Sequence, residues 1–235
     1  MSPKVKLEYR IIDIVHAAIK VFSRKGFRQA QMDEIAREAR VSKGTLYNYF
    51  KSKAHLFYYV LENGSPEEAS PLPAPSKSLP KTERDLLRLT REGLRRMSRF
   101  QSIEAFLNSQ VKDIDIAKEL SEILNEWWDM CESNRFQIII LERSIAEFPQ
   151  LAQVFNQYAR KHILGQFERY LEARVRAGVI QPLHSPRAAA RFILESVSWF
   201  GWKQHAAKSA PLISKSEAIP DVLSILQRGL STENS

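Results

Sequence analysis

Apolar residues recur along most of the chain at three- and four-residue spacing, with little strict apolar–polar alternation. A helix face repeats every ~3.6 residues and a strand face every ~2, so this spacing predicts helices. No glycine-rich run occurs, and no Asn-Gly turn joins alternating segments, so hairpins are not expected. The expected fold class is all-α. One stretch breaks the pattern. Five of the 11 prolines and four serines fall between Asn63 and Pro80. Neither helix nor strand runs through such a segment, which reads as an extended linker. The expected organisation is residues 1–62, a Pro/Ser-rich linker at 63–80, and residues 81–235.

The 235 residues are 44% hydrophobic and 26% charged, a globular rather than disordered balance. No apolar run has the ~20 residues of a membrane-spanning helix, and the start from Met1 lacks a secretory segment. Cys131, the single cysteine, has no partner for an intramolecular disulfide, and a reducing cytoplasm is expected. His16, His55, His162, His184 and His205 are scattered, with no pair at metal-ligand spacing. Neither a nucleophile elbow nor a phosphate-binding glycine loop occurs. An enzyme, a metal site and a cofactor are therefore not expected. The net charge of +8 is unevenly distributed: residues 1–60 hold 12 Lys+Arg and 5 Asp+Glu, and the rest is nearly balanced. That asymmetry points to a polyanionic partner for the first quarter of the chain, or to a merely solvating basic surface.

Four helices are predicted before the linker. The first runs from about Glu8 to Lys25, with Ile12, Val15, Ile19 and Phe22 on one face and Gly26 as its stop. The second, Met32–Ala39, starts at Gln31 and Glu34, a weak form of capping box. After Arg40-Val41, Ser42 caps a third helix, Lys43–Phe50, and Ser52 caps a fourth that ends near Glu62. Two short helices joined by a tight turn in a basic module have the form of a helix-turn-helix. On a wheel, Leu46 and Phe50 face inward, while Gly44, Thr45, Tyr47 and Asn48 face the other way. Glycine permits close backbone approach, Thr and Asn can bond base edges or phosphates, and Tyr supplies a ring and a hydroxyl. A purely solvated face would more often carry Glu and Lys.

The ordered run Gly26-Phe27, Ile35-Ala36, Ala39, Val41 through Tyr47 and Tyr49 through Lys53 resembles the DNA-binding domain of the TetR family of bacterial transcriptional regulators. Glu147-Phe148-Pro149, Ala177 through Ile180, and Ser185-Pro186 with Ala189-Ala190 extend a weaker resemblance to effector domains of multidrug-type repressors. The resemblance implies a homodimer with one reading head per subunit, binding a palindromic operator of double-stranded DNA. It also implies release by a small apolar effector held in residues 81–235, and a cytoplasmic, nucleoid-associated repressor with no membrane partner. By position it implies recognition contacts from Lys43, Gly44, Thr45, Tyr47 and Asn48, and phosphate contacts from Tyr49 and Lys53. Gln31, Arg40 and Ser42 complete the candidate set. The family often has glycine where Arg40 stands, Thr or Ser at Gln31, and His at Asn48. If the turn keeps a left-handed backbone at Arg40, the side chain costs on the order of 1 kcal/mol there.

After the linker, helices are predicted at Lys81–Arg99, Ile103–Lys112, Ile114–Cys131, Asn134–Phe148, Leu151–Ala177, Pro186 to about Ala206, and Ile219–Leu230. All four tryptophans lie in this part. Met97, Phe100, Phe106, Trp127, Trp128 and Phe136 are candidates for an apolar ligand pocket, or simply for core. Phe155, Tyr158, Phe192, Ser196 and Phe200 are candidates for the dimer interface the resemblance implies, or for an intramolecular core. The alternative function is a DNA-binding adaptor whose C-terminal part recruits a protein instead of sensing a ligand.

Overall fold

The computed structural model describes residues 3–64, 72–75, 80–109, 114–206 and 212–232, with side chains from residue 10 onward. Among these the regular elements are all helical. In chain order they are α1 (Pro3–Gln29), α2 (Met32–Glu38), α3 (Lys43–Tyr49), α4 (Lys53–Asn63), α5 (Glu83–Met97), α6 (Gln101–Asn108), α7 (Ile116–Ser133), α8 (Arg135–Ile145) and α9 (Pro149–Phe155). A π-turn (Asn156–Arg160) then leads into α10 (Lys161–Arg176). Next come α11 (Pro186–Ser198), a second π-turn (Trp199–Lys203), the short α12 (Gln204–Ala206) and α13 (Lys215–Leu230). Packing groups residues 1–96 with 136–158 as one compact unit, and 97–135 with 159–235 as another.

In the first unit, α1 packs against α2 and α4. Its buried stripe is Ile11, Ile14, Val15, Ala18 and Phe22, with Ile19 beside it. Ile12, expected on that face, is only half-buried, because it sits a quarter-turn away from the row that meets α4. As expected, the helical run breaks at Gly26, whose φ 70°, ψ −177° lie in a region open only to glycine, and helical backbone resumes beyond the break as far as Gln29. The bend is held from α8: the Phe27 amide donates to Ser144 Oγ (3.0 Å), and Arg143 Nε donates to the Arg24 carbonyl (2.9 Å). Phe27 also stacks on Phe148, with centroids 5.5 Å apart, and meets Phe57 edge-on.

Within the proline-rich segment the described residues are 63–64, 72–75 and 80: α4 ends at Asn63, and 72–75 contain no helix or strand. Tyr59 Oη donates to the Pro73 carbonyl and Ser52 Oγ to the Pro80 carbonyl. Residues 65–71 and 76–79 lie outside the described residues, as do residues 110–113, near which a helix is expected to end at Lys112.

In the second unit, α7 packs on α6, α11 and α13, and α10 packs on α11. Phe100, Ile123, Trp128, Phe167 and Ile193 fill its core. A charged pair is buried in this interior. Arg174 donates from Nε to Glu119 Oε2 (2.6 Å) and from its terminal nitrogen to Oε1 (2.8 Å), and Tyr170 Oη adds a third bond at 2.9 Å. Burial, then the Glu119 charge, push the Tyr170 hydroxyl pKa up. Glu126 caps α6 by accepting from the Gln101 and Ser102 amides. Helix α13 starts four residues before the expected Ile219, because Ser214 and Glu217 form a reciprocal capping box, and it runs on through Pro220. In the second π-turn a Cβ on Gly201 would lie 2.6 Å from the Cβ of Cys131, so only glycine fits over that buried thiol.

Candidate nucleic-acid interface

The turn between α2 and α3 sets the site. The Val41 amide donates to the Ala36 carbonyl and the Arg40 amide to the Arg37 carbonyl, the bond pair of a Schellman termination. Such an ending needs a left-handed residue, and Arg40 supplies it at φ 55°, the only non-glycine with positive φ among the described residues. The conditional expectation at this position therefore holds: the backbone is left-handed and the arginine is strained. Its side chain is exposed.

Ser42 then starts α3. Its Oγ accepts from the Thr45 amide (3.0 Å) and lies 2.8 Å from Thr45 Oγ1. Leu46 and Phe50 are fully buried, which fixes the roll of the helix. Gly44 and Asn48 are left exposed and Thr45, Tyr47 and Tyr49 half-exposed. A Cβ on Gly44 would meet only Ser42 Oγ, at 3.9 Å, so the chain's own packing does not demand glycine there. Lys43 pairs with Asp33 (2.9 Å), and that hydrogen bond raises its pKa.

Two flanking expectations look different in three dimensions. Gln31 precedes α2 but makes no side-chain cap, correcting the capping-box expectation; Glu34 is instead held by Lys25 at 2.8 Å. Lys53 lies over the Phe27 ring and donates to the carbonyls of Arg28 (3.0 Å) and Ala30 (2.9 Å). Burial, then the neighbouring Arg28 charge, lower its pKa. Two of its three donors thus close the end of α1, a role that local sequence did not signal. Ser52 caps α4 as expected, accepting from the His55 amide at 3.0 Å. His55 was not singled out by the sequence. It is buried, its Nδ1 accepts from the Lys51 amide (3.2 Å), and its Nε2 has no hydrogen-bond partner among the described residues.

The pocket candidates divide between the units. Phe100, Phe106, Trp127 and Trp128 join one cluster, Met97 is 37% exposed, and Phe136 belongs to the first unit. Trp127 Nε1 donates to the Leu194 carbonyl (3.1 Å), and Trp128 stacks on Phe200. Of the dimer candidates, Phe155 is buried in the first unit, and Tyr158 lies there under the Arg95 guanidinium (4.7 Å). Phe192 is 65% exposed on α11, Ser196 is half-exposed one turn later, and Trp199, which the sequence reading left out, is 50% exposed one further turn on. The i, i+7 spacing of Phe192 and Trp199 was a readable signal. Among the described residues, no cluster of His, Cys, Asp or Glu could hold a metal ion. No described helix is long and apolar enough to cross a membrane.

Residues 14–60 match the family model described as bacterial regulatory proteins, tetR family. The chain is 27% identical over 203 residues to the HTH-type transcriptional regulator YfiR of Bacillus subtilis (strain 168), covering 83% of this chain and 80% of that one. It is 41% identical over 62 residues to the regulator HbdR of Aromatoleum sp. (strain CIB), covering 26% of this chain and 27% of that one. In fold it is similar to a TetR-family regulator of Mesorhizobium loti, with a TM-score of 0.54, 16% identity, and 99% and 100% of the two chains covered. A TetR-family regulator of Pseudomonas syringae pv. tomato gives a TM-score of 0.52 at 20% identity, with 94% and 96% covered.

Proposed function

From the premise that this chain belongs to the TetR family of bacterial regulatory proteins, we propose that it is a repressor that binds a palindromic operator as a homodimer and leaves it when a small apolar ligand binds. As a member it is a DNA-binding transcriptional regulator and not an enzyme. The observation carrying the proposal is the outward face of α3, where exposed Gly44 and Asn48 sit with half-exposed Thr45 and Tyr47 above a fully buried Leu46. A helix rolled this way offers a major groove one glycine for close approach, two bonding side chains and a ring. Tyr49 and the third donor of Lys53 supply phosphate contacts at its flank. Exposed Phe192 and Trp199, on α11 and its π-turn with the half-exposed Ser196 between them, support a self-complementary dimer face. The aromatic cluster around Phe100, Phe106 and Trp127 supports an apolar effector. Such a protein works in the cytoplasm, at the nucleoid. The adaptor alternative is not favoured, because the relative matched along most of the chain is itself a transcriptional regulator.

The test is to sequence sheared host genomic DNA retained by the purified full chain at moderate salt. A few sharp palindromic peaks are expected. Diffuse retention across the genome would overturn the operator reading, and no retention at any salt by folded protein would overturn DNA binding itself. On the recovered operator, Tyr47→Ala or Thr45→Ala should cost about 1–3 kcal/mol and leave random DNA unaffected.

A further inference from the structure

An open cleft of about 700 Å³ lies between α1 and the α2–α3 turn. One face of α1 lines it with Arg10, Asp13, Ala17 and Lys20, and His16 stands alongside. The opposite wall is Glu38, Ala39, Arg40 and Val41, and Ser42 and Thr45 of the α3 start are at its edge. The two alanines keep the space open. Lys20 is already paired with Glu38, which Arg24 also approaches at 3.5 Å, so both cations have a carboxylate partner within the protein. Arg10 and Arg40 make no ion pair among the described residues, and both are exposed. Among the described residues, the cleft therefore presents two guanidinium groups and one carboxylate, Asp13, that make no ion pair, together with the His16 imidazole and two hydroxyls.

We propose that this cleft seats a backbone phosphate of the DNA duplex, held by Arg10 and Arg40, beside the groove that α3 reads. The proposal rests on the DNA-binding reading and extends it to a face outside the recognition helix. Guanidinium groups match phosphate oxygens in a two-pronged geometry, and a site flanked by Ser42 and Thr45 adjoins the base-reading face. A second observation points the same way. Arg40 sits in a left-handed conformation that glycine occupies without cost, as Gly178 (φ 73°) does in an identical termination of α10, where Gly178 donates to Val175 and Val179 to Arg174. Strained backbone of this kind concentrates where a side chain has work to do, and here the strain aims a cation into the cleft. Asp13 opposes the phosphate and weakens the site, giving it a dissectable sign.

The test measures affinity by fluorescence anisotropy for the recovered operator duplex and for a random duplex of equal length, between 50 and 200 mM salt. The variants are Arg10→Ala, Arg40→Gly and Asp13→Asn of the full chain. Each arginine substitution is expected to weaken both duplexes alike and to lower the log–log salt slope by about 0.9 per contact removed. Each lost contact then changes the variant-to-wild-type affinity ratio by about 3.5-fold across that fourfold salt range. Asp13→Asn is expected to tighten both. Wild-type slopes and affinities in both arginine variants would overturn the proposal. So would losses confined to the operator, which would make these arginines base readers. Wild-type protein that binds neither duplex would instead overturn the DNA-binding reading on which the proposal stands. Thermal melts guard against misfolding, and Arg40→Gly is expected to melt no lower than wild type.

Discussion

The strained turn at Arg40 gives a stability prediction that separates backbone from side chain. An L-residue in the left-handed region costs about 1–2 kcal/mol. Glycine removes that cost but returns about 0.4–1 kcal/mol through the greater freedom of the unfolded chain. Arg40→Ala keeps the strain, because alanine carries the same Cβ. Both variants lose the same guanidinium, so their difference reports the backbone alone. With φ at 55° and the Schellman bonds from Arg40 and Val41 in place, Arg40→Gly should exceed Arg40→Ala by about 0.5–1 kcal/mol. For a chain of this size that is about 1–4 °C in melting temperature. Arg40→Asn should fall between them, since asparagine tolerates this region better than most residues. The assay is thermal unfolding of the three full-length variants followed by circular dichroism. Gly and Ala variants melting together, or Ala melting higher, would refute a left-handed residue at this turn.

Three further outcomes are expected. Gly26→Ala should destabilise by at least about 1–3 kcal/mol for its glycine-only conformation, and a Cβ there also meets the Arg143 carbonyl oxygen at 3.0 Å; a melt unchanged from wild type would contradict the bend. Arg174→Ala should cost about 3–5 kcal/mol in denaturant unfolding, because it leaves Glu119 charged and buried without its partner. His55 is held neutral by burial first and by the nearby Lys51 charge second, so its folded pKa lies below its unfolded value of about 6.5. The unfolded state then binds more protons, and stability present above about pH 6.5 is lost as pH falls toward the folded pKa. His55→Gln should flatten that decline between pH 7 and 5, and an identical pH profile in both proteins would exclude His55 as a contributor.

The parts of this molecule legible in the sequence are those whose determinants are local. Ser42 and Ser52 cap the helices that follow them through bonds three residues long, so the starts of α3 and α4 could be read directly. The departure at Arg40 was likewise readable as a turn whose backbone demand the residue type resists. What stayed hidden depends on partners far along the chain. Glu126 caps a helix 25 residues earlier, and Ser144 holds the Phe27 amide across 117 residues. Lys53 reads as a free cation until the carbonyls of Arg28 and Ala30 are brought to it. Gln31 and Glu34 match a weak capping pattern, but Lys25 on α1 competes for the carboxylate and takes it. The dimer candidates Phe155 and Phe192 look alike as sequence, yet one is buried and the other stands in solvent, a difference set by packing.

The seat of Cys131 beneath Gly201 has a practical side. The only thiol in the chain is fully buried, and that burial drives its pKa far above the working range of alkylating reagents. Maleimide and iodoacetamide probes should therefore pass over it in the folded protein. A single cysteine introduced at exposed Arg37, on α2 and outside the proposed contact residues, can carry a fluorophore or spin label with the native Cys131 left in place. In the homodimer proposed above, distances between labelled subunits would then report how far apart the two reading heads stand, with and without DNA.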